Sequence, residues 1–119
     1  MTTAFRAETE ALDDLNIVSL VGELDQATVP ELQQALEAAI ASDSRALLVD
    51  LSDCSFIDSS GLGALVSGRE RLLATDGWRF GICCPGEQVA RLLAITGLDQ
   101  AMGLLTTRQE ALEALRSQG

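Results

Sequence analysis

Leu47-Leu48-Val49-Asp50-Leu51-Ser52-Asp53-Cys54-Ser55-Phe56-Ile57-Asp58-Ser59-Ser60-Gly61-Leu62-Gly63-Ala64-Leu65-Val66-Ser67-Gly68-Arg69 decides how this chain folds. An apolar, strand-like run enters Asp58-Ser59-Ser60-Gly61, and a helix-like run leaves it. The arrangement presents a serine hydroxyl at the mouth of a helix, where backbone N–H groups are unpaired and the helix dipole is positive. A serine there serves as a nucleophile, a phosphate acceptor or a plain helix cap.

The rest of the composition weighs against the nucleophile. The chain has no histidine, and all 8 of its basic residues are arginine. Neither a Ser-His-acid triad nor a Ser-Lys pair can be built within it. Arginine stays protonated at working pH and makes a poor general base. No catalytic residue is assigned, and the chain is not read as an enzyme.

At 119 residues and 47% apolar content, the chain suits one compact domain over residues 1–119. Aromatics are only 3%, so Leu, Val, Ile and Ala must build the core. The formal net charge of −10 repels nucleic acid and anionic lipid, and a basic protein surface suits it better. No segment approaches the roughly 20 apolar residues of a membrane span. Residues 1–14 carry more acid than base and do not read as a secretory signal. The cysteines are Cys54, Cys83 and Cys84. An odd count with an adjacent pair is no disulfide framework, and the ligand spacing without histidine gives no metal site. Cys83 and Cys84 are expected to end a strand as small apolar residues, which fits a reducing cytoplasm.

Working outward, Leu15–Val21 is strand-like, with Phe5–Ala11 as an edge strand paired to it across Asp13-Asp14. Gly22-Glu23-Leu24-Asp25 is expected to end the strand. Thr28-Val29-Pro30-Glu31 reads as a helix start with Thr28 as cap, and Leu32, Ala35, Leu36, Ala39 and Ile40 fall on one face. Ala46–Leu51 reads as a strand covered on both faces. The helix after Asp58 turns Leu62, Leu65, Val66, Leu72 and Leu73 inward and stops near Asp76-Gly77. Arg79–Cys83 is a fourth strand. Val89, Leu92 and Leu93 mark a short helix closed by Thr96-Gly97. Gly103–Leu105 is a short last strand, and Thr107-Arg108-Gln109-Glu110 opens a final helix with Ala111, Leu112 and Leu115 inward. Arg69, Arg71 and Arg79 read as solvated charges. The order β-β-α-β-α-β-α-β-α implies an α/β fold, a mostly parallel sheet with an N-terminal hairpin and helices packed on it.

The Gly22-Glu23-Leu24-Asp25 stretch, the Asp50-Leu51-Ser52 strand end and Phe56-Ile57-Asp58-Ser59-Ser60-Gly61-Leu62-Gly63 together resemble the STAS domain of bacterial anti-sigma-factor antagonists. The resemblance covers nearly the whole chain. It implies a phosphorylation switch: the unphosphorylated antagonist binds an anti-sigma factor that is also a serine kinase and so frees the sigma factor. The kinase then phosphorylates the serine after the motif aspartate, and a serine phosphatase resets the switch. Carried onto this sequence, the acceptor is Ser59, with Asp58, Ser60 and Gly61 in the kinase-facing loop and Asp25 contacting the partner. No cofactor is assigned, and from the charge, the lack of an apolar span and the cysteine usage no nucleic acid or membrane partner and a cytoplasmic location are expected. Asp25 as a mere turn residue, and Asp58 as the cap, stand beside these roles. The competing function is a small-ligand or nucleotide-binding domain using the same helix start, although the chain has no Gly-x-x-x-x-Gly-Lys-Ser/Thr loop. A STAS subunit of a larger stress-signalling or lipid-transport assembly is the third reading.

Overall fold

A computed structural model describes residues 4–75 and 77–116. β1 (Arg6–Leu12) turns at Asp13, whose φ is +57°, and pairs antiparallel with β2 (Leu15–Leu24), from Arg6 opposite Val21 to Leu12 opposite Leu15. β1 is the exposed edge strand the sequence led us to expect. β2 pairs in parallel with β3 (Ala46–Ile57), and β3 with β4 (Arg79–Cys83), so the sheet order is β1-β2-β3-β4.

The strand alternation sends side chains to two faces. Val18, Leu20, Leu47, Val49, Leu51 and Ile82 join the larger core with α1 (Val29–Ala41), α2 (Ser59–Leu73) and α3 (Glu87–Thr96). Leu15, Ile17, Ala46, Leu48 and Cys83 form a smaller cluster with Ala111 and Leu115 of α5 (Arg108–Leu115). The expected mostly parallel α/β sheet with its N-terminal hairpin is therefore present.

Several boundaries move. Gly22 is not the end of β2: it sits at φ +98° beside a register shift, a conformation open to glycine, and the strand runs on to Leu24. β3 runs past Ser52 to Ile57, because this extension of β2 accompanies it (Gly22 opposite Cys54, Leu24 opposite Ile57). The last strand at Gly103–Leu105 is reduced to one parallel bridge between Cys83 and Leu105, and a short helix, α4 (Leu98–Ala101), precedes it. Leu73 is 41% exposed at the end of α2 instead of inward, and Asp76 lies outside the described residues. Arg79 is not a solvated charge: its Nε donates to the Leu115 carbonyl at 2.8 Å, and its guanidinium pairs with Asp14 at 3.1 Å. Arg71 pairs with Glu37, joining α2 to α1 at the surface. Gly97, at φ +74°, closes α3 as expected.

Candidate functional site

The C-terminal ends of β2 and β3 lie side by side, and each leads into a helix. After β2, the chain turns through residues 25–28. The Asp25 carboxylate closes that turn by accepting from the backbone N–H of Ala27 at 3.0 Å and of Thr28 at 3.1 Å. Thr28 does not cap α1 as expected. Its backbone is already near-helical, and its hydroxyl points back into the turn, donating to the Glu23 carbonyl and accepting from the Asp25 N–H, both at 2.9 Å.

After β3 the link is one residue long. Asp58 has an extended backbone and caps α2: its Oδ1 accepts from Gly61 N–H at 2.8 Å. Its Oδ2 reaches across and accepts from Gln26 N–H at 3.2 Å, tying the two loops together. The backbone repeats the tie, with Asp58 N–H donating to the Leu24 carbonyl at 3.1 Å. Asp58 is thus the cap of α2, as the sequence allowed.

That cap determines what the serines can do. Ser59 and Ser60 occupy the first turn of α2 and are exposed. Among the described residues, neither hydroxyl has a hydrogen-bond partner, so neither serves as a cap. Both sit where backbone N–H groups lack intrahelical acceptors and an added anion is favoured.

Gly61 contributes in a way the sequence did not reveal. It is buried, and a Cβ there would lie 2.8 Å from Leu24 Cγ and 2.9 Å from the Leu24 carbonyl oxygen. Its missing side chain lets α2 start hard against β2; it offers no surface of its own. Gly63, by contrast, is exposed and has open space where a Cβ would stand.

The surroundings are acidic. Asp25, Gln26, Ala27 and Asp58 line a shallow depression beside the serines. Among the described residues, no arginine pairs with Asp25 or Asp58. Just upstream, Phe56 is 48% exposed and lines an apolar groove with Leu92 and Ile95 of α3. No periodicity pointed to that groove, because it needs β3 to extend beyond Ser52. Cys54, earlier on the same strand, is buried; burial pushes its thiol up, which keeps it protonated and unreactive.

The profile of the STAS domain matches residues 6–111. The chain belongs to the STAS domain family. It is 36% identical to an anti-sigma-B factor antagonist of Staphylococcus aureus over 95 residues, covering 80% of this chain and 87% of that one. The crystal structure of an anti-sigma factor antagonist from Mycobacterium paratuberculosis superimposes with a TM-score of 0.86 at 35% identity, covering 96% of both chains. The anti-sigma factor antagonist SpoIIAA of Bacillus, in its unphosphorylated form, matches with a TM-score of 0.75 at 25% identity, covering 95% of this chain and 96% of that one. Within this STAS domain, the helix start at Ser59 offers exposed hydroxyls that have no hydrogen-bond partner among the described residues.

Proposed function

We propose that this STAS domain is a non-catalytic anti-sigma-factor antagonist switched by phosphorylation of Ser59. In the unphosphorylated form it binds an anti-sigma factor that is also a serine kinase, and so releases the sigma factor in the cytoplasm. Phosphorylation ends the binding, and a serine phosphatase restores it. The observation that carries this reading is the division of labour at α2: Asp58 holds the helix, which leaves the exposed Ser59 hydroxyl free to accept a phosphoryl group. Asp25, Asp58 and Ser60 form the partner-facing rim around it, with Gly61 setting how closely that rim sits on β2.

Electrostatics supports the switch. A phosphate adds about −1.5 to −2 charges at pH 7. The helix start tolerates it locally, so the fold survives. In an interface that already contains Asp25 and Asp58, the added charge is costly to desolvate. A loss of about 2 kcal/mol weakens a complex more than tenfold.

The test is incubation with the anti-sigma kinase and ATP, read by intact mass. The expected result is one added phosphate, lost in Ser59→Ala and retained in Ser60→Ala. The reverse pattern would overturn the assignment.

A further inference from the structure

The sheet brings together three groups that lie far apart or back to back in the sequence. Asp50 of β3 and Cys83 of β4 are register partners, and both are buried. In a regular strand, Cys84 would point to the face opposite Cys83. Instead Cys84 has φ +64°, a left-handed conformation that side chains disfavour, and its thiol turns back to lie 2.8 Å from the Cys83 sulfur. One ligand atom from each of Asp50, Cys83 and Cys84 lies within 4.8 Å of the other two. Cys84 is only half-buried, so the group is reached from its side. The Asp50 carboxylate is held in place: Oδ1 accepts from Ser52 N–H at 2.9 Å and from its hydroxyl at 2.8 Å, and Oδ2 pairs with Arg108 of α5 at 3.2 Å.

We propose that Asp50, Cys83 and Cys84 form a site for a thiophilic divalent cation, Zn2+ in chemistry and Cd2+ as its surrogate. Spacing alone spoke against a metal here; the β3–β4 register supplies the third ligand. Two sulfurs and one carboxylate, with a fourth position open, suit such an ion. Bonds of about 2.3 Å to each sulfur require the thiols to separate by roughly 1 Å, which rotation of the half-buried Cys84 allows. Charge closes well. Two thiolates, one carboxylate and a divalent cation sum to −1, and Arg108 stands beside them.

The groups facing Cys83 set the pH dependence. Burial raises its thiol first, then Cys84 and Asp50 raise it further, and Arg108 opposes them; Glu10 of β1 lies 3.8 Å from Arg108. A cation binds the thiolate form of cysteine, so binding releases protons and strengthens as pH rises.

The test titrates the reduced, metal-free full chain with Cd2+, followed by the ultraviolet thiolate-to-cadmium charge-transfer band. One cation per chain is expected, displaced by Zn2+, bound more weakly at mildly acidic pH, and raising the melting temperature. Cys84→Ser and Asp50→Asn should each weaken binding about tenfold or more, while Cys54→Ala should leave it unchanged. Cys84→Ser changes a half-buried side chain and keeps the test meaningful if Asp50→Asn does not fold. Absence of a stoichiometric band, or a band that survives Cys84→Ser and vanishes in Cys54→Ala, would overturn the proposal.

Discussion

α1 and α2 start side by side, each after a strand and each led by an aspartate, yet they use their hydroxyls in opposite ways. At α1, Asp25 closes the turn and Thr28 is bonded on both sides, to Glu23 and to Asp25. At α2, Asp58 meets the needs of the helix end and of the neighbouring loop alone, and the hydroxyls of Ser59 and Ser60 are left over. A hydroxyl near a helix start is thus structural or available according to whether an aspartate has already taken the cap. The distance between these residues in sequence is no guide.

Substitutions at four positions break or sharpen that contrast through stability, each read from the midpoint of urea unfolding. The largest effect is expected from Gly61→Val. The new side chain meets Leu24, including its backbone oxygen, which cannot move aside, and overpacking of this kind costs about 3 kcal/mol. Asp58→Ala comes next, at about 2 kcal/mol, because it removes the cap and the acceptor for Gln26 together. Asp58→Asn, which still caps, should recover most of the loss. Thr28→Val should cost about 1 kcal/mol through its two lost hydrogen bonds, with Thr28→Ser close to the parent. Ser59→Ala should change stability by less than about 0.5 kcal/mol, since the hydroxyl supports nothing in the fold. A cost for Ser59→Ala as large as that for Thr28→Val would erase the distinction between the two helix starts.

Much of this was legible before any coordinates. Apolar runs located β2, β3 and β4, and the parity of Leu47 and Val49 against Ala46 and Leu48 matches the two faces they fill. Thr107 caps α5 as its sequence suggests, with Glu110 N–H donating to its hydroxyl at 3.1 Å and that hydroxyl donating to the Glu110 carboxylate at 3.2 Å. Local pattern failed where distant partners decide. β3 continues through Ser52 and Asp53 because β2 runs beside it. Thr28 turns away from α1 because Asp25 and Glu23 engage it. Arg79 is drawn in by Asp14 and Leu115, which are remote in sequence. Ser59 itself was readable from the motif, but its freedom from capping was not, since both Asp58 and Ser59 have the chemistry of a cap. The grouping of Asp50 with Cys83 and Cys84 depends on strand register and on one left-handed residue, neither of which composition reveals.

The central claim is that charge at position 59 controls partner binding while the fold stays intact. The most direct measurement compares Ser59-phosphorylated and unmodified protein: affinity for the anti-sigma kinase by calorimetry, alongside circular dichroism and melting temperature. The account predicts affinity weakened more than about tenfold with an unchanged spectrum and a similar melting temperature. Unchanged affinity in an intact fold would contradict the switch, and a melted domain would contradict the claim that the helix start accommodates the phosphate.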